Sequence, residues 1–427
     1  MLDIKLIREQ PDTIRQALHD RHDPHDVASL LERDKKRRML IAETDALKEK
    51  SNRAAQSIAR MKQQKQDARA AIEEMQGVKK QIKEKDELLA HIEQDCTRLL
   101  LEYPNIPDAS VPVGASEKEN KVLRQEGSFQ EPGFPLKDHV DIGTALGILD
   151  LDRAAKLSGA RFPLLKNQGA LLERALIRFM LDLHTTEHGY TEILPPFMVT
   201  PQSMQGTGQL PKFQEELFYC ERDQLYLIPT AEVPLTGIHG DEILNEKDLP
   251  IKYVAYTPCF RREAGSYGKD TRGLIRNHQF NKVELVKLVR LESGIAELES
   301  LLKDAEAVLK KLGFSYRVLE LCTGDLGFAS AKTYDLEVWM PGEKRYREVS
   351  SCSLFTDFQA RRLGIRYKDA GKKNRFVFTL NASGLAVGRI FAAILENGQQ
   401  KDGSVALPKS LHSYMGCDRI TRAQGAV

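Results

Sequence analysis

The sequence predicts an α+β protein, with a long antiparallel α-helical coiled-coil hairpin at the N-terminus followed by a unit built on an antiparallel β-sheet flanked by helices. Three observations predict it. Residues 27–100 contain no proline, no Phe, Trp or Tyr, and one glycine, Gly77. Prolines return abruptly at Pro104, Pro107 and Pro112. Beyond them, short strand-like runs alternate with turns, with no βαβ repeat and no strand leading into a Walker or GxGxxG helix, which excludes a doubly wound sheet.

Ala, Lys, Gln, Glu and Arg dominate residues 27–100, and such side chains lose little rotamer freedom in a helix. Leu40, Thr44, Leu47, Ser51, Ala54, Ile58 and Met61 recur at spacings of four and three. A second stripe runs Ala71, Met75, Val78, Ile82, Lys85, Leu89, Ile92, Cys96 and Leu99. Both have the heptad rhythm of a seam against a partner helix, weakened by Thr44, Ser51, Ala54 and Lys85. QQKQDARA, starting at Gln63, breaks the register and predicts the turn. A helix of about 35 residues reaches about 50 Å, so the arm should bend relative to the body for want of tertiary contacts. Residues 27–100 hold 17 Lys and Arg against 13 Asp and Glu, densest in RDKKRR at Arg33–Arg38. A solvated helical face accounts for that surplus as readily as a surface that tracks phosphates.

Tyr103 to Gly114 reads as a proline-broken ordered linker. The boundaries expected are 1–102 for the N-terminal domain (arm about 27–100), 103–115 for the linker and 116–427 for the second domain. In the latter, LLERALIRFMLDLHTTEHG (Leu171–Gly189) has the 3.6 period of an amphipathic helix stopped by glycine. YTEILPPFMV follows as a strand ending against two prolines. Further strand candidates are LFYCERDQLYLI, YVAYTPCFRRE, FNKVELVKLV, SYRVLEL, TYDLEVWM, REVSSCS and RFVFTLNAS, with a PGEK turn at Pro341.

Overall charge narrows function little: 63 Lys and Arg against 61 Asp and Glu leave +2. No 18-residue charge-free run suggests a membrane span, and MLDIKLIREQPD lacks a secretory h-region, so a cytosolic protein is expected. Cys96, Cys220, Cys259, Cys322, Cys352 and Cys417 are scattered without a CxxC, which predicts free thiols and no structural zinc.

The chemistry-bearing residues lie in the second domain. TPCFRREAGSYGKDTRGLIRNHQFNKVEL (Thr257–Leu285) has strand-like ends around a loop holding Arg262, Lys269, Arg272 and Arg276, which suits a polyanionic ligand. Arg261 and Glu263 should share one side of a strand, either as an ion pair or as a phosphate clamp beside a group that reads amino hydrogens. On the return strand Phe280, Lys282 and Glu284 share a face, and Phe280 is either core or a plate for a base. In REVSSCS, Glu348, Ser350 and Ser351 offer hard oxygens to Mg²⁺ or cap a strand end. NASGLAVGRIFAAILEN runs from Asn381 through Gly384 and Gly388, which allow close backbone approach, into an apolar helix. Arg389 at its start needs a partner, and phosphate is one.

Three ordered segments resemble the class II aminoacyl-tRNA synthetase motifs: EHGYTEILPPFMV (motif 1), CFRRE leading to RNHQFNKVE (motif 2) and SGLAVGR (motif 3). The sequences between them, TAEVPL at Thr230, TGDLGFASAKTYDLEVW at Thr323, REVSSCS at Arg347 and the late LPKSLHSYMG, are similar to the bacterial type of the seryl-tRNA synthetase family. Gly388 before the motif 3 arginine, where the class often has Glu, resembles the seryl branch. Leu354, Phe355 and Thr356 depart from a commoner Asn-containing version, and Ala382 is a small-for-small change. The likeness covers essentially the whole chain.

The resemblance implies a class II catalytic domain that uses ATP and Mg²⁺ to activate L-serine as seryl-adenylate, then transfers the seryl group to the 3′ end of serine tRNA, and of selenocysteine tRNA where an organism has one. It assigns serine binding to Thr230, Ala231, Glu232, Arg261, Glu284, Asn381 and Ser383. ATP binding falls to Arg261, Arg262, Glu263, Phe280, Glu348, Val349, Ser350, Ser351 and Arg389, with Phe280 stacked on adenine, and Mg²⁺ to Glu348 and Ser351. Pro196 is implied at a homodimer interface with the Leu171–Gly189 helix near it. The helical arm would contact tRNA, with candidate contacts at Lys35, Lys36, Arg37, Arg38, Arg53, Arg60, Lys62, Lys65, Arg69, Lys79 and Lys80. A relative that loads a carrier protein would lack such an arm, and a catalytically dead RNA-binding relative would not retain Arg261, Glu263, Glu348 and Arg389.

Overall fold

Asp3 and Asp26 open the first and third helices by accepting backbone N–H bonds of the next turn, from Lys5 at 2.8 Å and Ala28 at 3.0 Å. The computed structural model describes residues 1–264 and 272–422. They form two compact units, one of Met1–His19 with Asp23–Pro104, the other of Asp20–His22 with the chain from Asn105.

In the first unit α1 (Ile4–Glu9) and α2 (Pro11–Asp20) precede two long helices, α3 (Val27–Gln63) and α4 (Arg69–Glu102), which pack as an antiparallel pair. The reversal falls at residues 64–68, within the segment whose register breaks in the sequence. Every stripe position is at least half-buried, and Leu40, Thr44, Ile58, Val78 and Cys96 are fully so. Cross-helix ion pairs Arg37–Glu93, Glu43–Lys85, Lys48–Asp86 and Lys50–Glu74 flank the seam, running from Glu93 opposite Arg37 to Glu74 opposite Lys50 as an antiparallel pair requires. Lys85, a seam position by spacing, therefore leans out to a carboxylate instead of filling the seam. Near the base, buried Asp34 gathers Arg8 at 3.0 Å, Arg38 at 3.1 Å and Arg37 at 3.4 Å.

The second unit is organised by an eight-stranded sheet: β1 (Lys121–Glu126), β2 (Thr191–Glu192), β3 (Ile251–Phe260), β4 (Gln279–Val289), β5 (Tyr316–Glu320), β6 (Lys332–Met340), β7 (Arg345–Leu354) and β8 (Phe378–Ala386). Their spatial order is β1-β5-β6-β7-β8-β4-β3-β2, antiparallel throughout except where β2 joins β3. Alternation divides the sheet. Val283, Leu285, Leu336, Val338, Leu380 and Ala382 enter the main core, under helices α5 (Gln168–Thr186), α7 (Gly294–Leu312) and α8 (Val387–Gly398). Their neighbours Lys282, Glu284, Asp335, Glu337, Asn381 and Ser383 line a cavity on the other face. A short helix, α6 (Glu232–Gly237), closes one side of that cavity.

Three bulges interrupt the alternation, one at Leu123 on β1 and two beside the cavity. Leu336 opposes Ser350 while Glu337 opposes Glu348, so Val349 is the extra residue on β7. Ser383 opposes Glu284 while Leu385 opposes Val283, so Gly384 is the extra residue on β8, where a Cβ would stand 3.0 Å from His184 Nε2.

Two local expectations are corrected. YTEILPPFMV is not one strand: it gives Thr191–Glu192 and Met198–Val199, separated by Pro195 and Pro196, whose nitrogens cannot donate to a ladder. Arg261 and Glu263 do not share a strand face, because β3 ends at Phe260 and Glu263 adopts φ +49°. No helix among the described residues is long and apolar enough to cross a membrane.

Candidate active site

The cavity encloses about 1140 Å³ and has two chemically different ends. At one end Thr230 and Glu232 precede and open α6. Thr230 Oγ1 accepts the Glu232 N–H at 3.2 Å, which turns the Glu232 side chain inward. The amide of Gln359 is oriented by Thr379, whose hydroxyl donates to Gln359 Oε1 at 2.7 Å, so Gln359 Nε2 donates to Glu232 Oε1 at 2.6 Å. Burial, and then the neighbouring Glu284 carboxylate, push the Glu232 carboxyl up to about 7. Glu284 is 1% exposed and faces Ser383 directly across the β4–β8 ladder. Asn381 Nδ2 donates to Glu284 Oε1 at 3.2 Å, and Lys282 Nζ lies 2.6 Å from Glu284 Oε2. Burial raises the Glu284 carboxyl, and Lys282 pulls it back.

Arginines define the other end. Arg261 Nε donates to the Pro229 carbonyl at 3.2 Å, and its guanidinium lies 5.2 Å from the ring centre of Phe280. Arg389, in the first turn of α8, donates from Nε to the Ile275 carbonyl at 3.3 Å and from Nη1 to the Glu348 carbonyl at 2.9 Å. Glu348 Oε1 stands 3.4 Å from the same Nη1. The bulge at Val349 puts Glu348 and Ser351, three apart in sequence, on the cavity face, where regular alternation would separate them. Asp335 faces Ser351 across the ladder, and its Oδ1 is buried without a hydrogen-bond partner. Burial, then the Glu348 carboxylate, raise the Asp335 carboxyl well above the usual carboxylate range.

Thr230, Glu232, Arg261, Glu263, Glu284, Glu348, Ser351, Asn381, Ser383 and Arg389 all line this one cavity. Ala231, Val349 and Ser350 are buried outside its lining, and Ser350 Oγ donates to the Ser383 carbonyl at 2.7 Å. Arg262 donates to the Leu217 carbonyl at 2.9 Å and stacks over Phe218. Glu263 pairs with Arg276 at 3.2 Å. Arg272 is taken by Asp138 and Asp141, and Lys269 lies outside the described residues. Sequence reasoning left Lys282, Asp335 and Gln359 unassigned. The first two share strand faces with Glu284 and Glu337 at a spacing of two, a visible signal, whereas nothing local marks Gln359.

Comparison with known proteins decides the family. Residues 1–107 match the seryl-tRNA synthetase N-terminal domain, and residues 216–398 the class II tRNA synthetase core domain for G, H, P, S and T. A serine–tRNA ligase of Desulfosudis oleivorans is 58% identical over 97% of this chain and 98% of its own length. One from Syntrophobacter fumaroxidans is 57% identical over 97% and 99%. The chain belongs to the serine–tRNA ligase family. The crystal structure of seryl-tRNA synthetase from Pyrococcus horikoshii complexed with ATP superposes with a TM-score of 0.94 at 39% identity, covering 99% of this chain and all of that one. At that TM-score and identity, the mostly antiparallel sheet and the long helical pair belong to a fold the two proteins share.

The ligase's arm carries its basic residues in two settings. Near the base, Arg37 and Arg38 hold Asp34, and Lys36 pairs with Glu32 at 2.9 Å, while Lys35 is exposed. Arg53 pairs with Glu49, and Lys80 lies 4.0 Å from Glu84. Around the turn Arg60, Lys62, Lys65, Arg69 and Lys79 are exposed, with no acidic partner among the described residues. Pro196 is exposed between Leu194, 78% exposed, and Met198. The apolar face of α5, by contrast, is buried in the core of its own unit.

Proposed function

We propose that this cavity is where the ligase condenses L-serine with ATP and from which the seryl group passes to the terminal ribose of serine tRNA, and of selenocysteine tRNA where present. The observation that carries the reading is the two-ended cavity: buried carboxylates with small polar partners at one end, Arg261 and Arg389 at the other. The serine ammonium fits Glu232, its hydroxyl fits Glu284 and Ser383, and its carboxylate then points toward Arg261. The carboxylate oxygen attacks the α-phosphorus of ATP, the bond to the bridging oxygen of the β-phosphate breaks, and pyrophosphate leaves. Charge builds on phosphate oxygens, where fixed guanidinium groups stabilise it without a nucleophilic side chain. Phe280 would meet the adenine. Alanine leaves the Glu284 end unpaired, a penalty of about 10⁴ or more in such sites, whereas threonine must be refused by steric fit. Serine-dependent exchange of pyrophosphate into ATP, followed by charging of purified serine tRNA, tests the reading. Exchange that serine does not stimulate would reject it.

Glu348, Ser351 and Asp335 are hard oxygen donors on one face, and the partnerless Asp335 oxygen beside a second carboxylate is a setting that Mg²⁺ would relieve. Bound there, the ion would screen ATP phosphate charge. Glu348→Gln should shift the Mg²⁺ activation curve to roughly tenfold higher concentration. A curve superimposable on the parent's would remove Glu348 from the metal site.

A homodimer is the assembly the exposed apolar strip around Leu194, Pro196 and Met198 supports. Sedimentation velocity at micromolar concentration should find a dimer, and monomer alone would exclude it.

A further inference from the structure

We propose that Lys282 is a positioning residue that keeps the hydroxyl-reading carboxylate of Glu284 ionised and turns the Thr230 hydroxyl proton into the pocket. This rests on the assignment of the serine hydroxyl to Glu284.

The geometry that supports it is a set of donors around one carboxylate, whose Oε2 is ion-paired with Lys282 but accepts no hydrogen bond from the protein. Lys282 is 6% exposed, in a position where a lysine without an anion would be costly. Its Nζ lies 2.6 Å from Glu284 Oε2 and donates to Thr230 Oγ1 at 2.8 Å. Thr230 Oγ1 also accepts the backbone N–H of Glu232. With both lone pairs of that hydroxyl occupied, its own O–H has only one remaining task, which is to donate. Asn381 Nδ2 adds a donor to Glu284 Oε1. Ammonium, hydroxyl and amide thus leave Glu284 as an acceptor, so the ligand hydroxyl must be the donor to it.

Without Lys282 the balance changes sign. The groups that face Glu284 are Glu232 in the first turn of α6, Arg261 beyond β3, Lys282 on β4, and the neutral Thr230, Asn381 and Ser383. The nearby thiols Cys259 and Cys352 are held neutral by burial. Two buried carboxylates would then share Arg261 alone, and each would be driven further toward its protonated form. A protonated Glu284 meets the serine hydroxyl as a neutral donor and acceptor and loses the stronger, charge-assisted bond that an ionised carboxylate offers it.

The test is a set of variants of the full-length enzyme. Lys282→Met should raise the KM for serine at least about tenfold at pH 7, with the KM for ATP within about twofold of the parent. The acid limb of kcat/KM for serine, which belongs to the Glu232–Glu284 pair, should move up by about one pH unit or more, since removing a cation raises a carboxyl pKa. Lys282→Arg should restore most of the lost activity and move the limb back. In a Glu284→Gln background, where the charge to be held is gone, Lys282→Met should change the KM for serine by less than about threefold. An unshifted limb in Lys282→Met, or an equal effect of that change in both backgrounds, overturns the role of Lys282. Normal serine kinetics in Glu284→Gln alone would instead overturn the hydroxyl assignment. Circular dichroism and ATP binding identify any variant that fails to fold, and Lys282→Arg then carries the test through the position of its acid limb.

Discussion

Arg261→Lys should lower serine-dependent ATP–pyrophosphate exchange by about 10²–10³, the range for loss of one donor aimed at developing charge. The reason lies in how this guanidinium is held. Nε is tethered to the Pro229 carbonyl at 3.2 Å, and the plane lies over Phe280. Both Nη groups lack a partner among the described residues and remain for the ligand. A lysine cannot hold the carbonyl, cover the ring and present two parallel donors at once, because its ammonium is a single point charge. Most of the loss should fall on kcat, since the charge that the fork meets grows in the transition state. The Glu232 end is untouched, so serine binding should weaken less. Thermal unfolding should change little, as the residue lies past the end of β3 and outside the core. Exchange within a few-fold of the parent's would show that Arg261 is not the phosphate-side fork.

The helical arm was legible because its signal is compositional and periodic: seventy-odd residues without proline, two stripes, and a register break at the turn all report one structure. The strands were legible as runs but not always as units. In Tyr190–Val199 the prolines mark the interruption, but the first ladder already stops at Glu192 and Met198–Val199 joins a different sheet, because apolar content is not hydrogen-bonding capacity. Glu284 and Ser383 could be paired only through family resemblance, since cross-strand register is a non-local fact. Glu348 and Ser351 are harder still. Their spacing of three argues against a shared face, and only the unpaired Val349 brings them together. Lys282 was visible beside Glu284 but reads equally as a solvated lysine, because burial cannot be seen in a spacing. Gln359 acts from a different helix on Glu232 and carries no local mark.

Removing residues 45–84 should largely abolish tRNA charging, by about 10² in kcat/KM for tRNA, while leaving serine-dependent pyrophosphate exchange within about twofold. The cut is set by the structure. Glu43 and Lys85 pair across the two long helices, so the stumps face each other there and a short glycine-containing turn can join them. Asp34 keeps Arg8, Arg37 and Arg38, and Arg37 keeps Glu93, so the base is not left with an unpaired buried carboxylate. What is lost is the far end, where Arg60, Lys62, Lys65, Arg69 and Lys79 are exposed without acidic partners. Ion-paired Arg37 and Arg38 are already neutralised and are poorer candidates for a phosphate. Charges of that kind meet an RNA backbone by shape and potential rather than by base sequence. If each of the five meets one phosphate, the plot of log Kd against log salt should lose about four units of slope on truncation. Serine tRNAs differ in anticodon, so an identity feature on the tRNA body is a fitting target for a reach of about 50 Å. A truncated enzyme that folds, exchanges pyrophosphate and charges tRNA with unchanged kcat/KM would make the arm a structural element only.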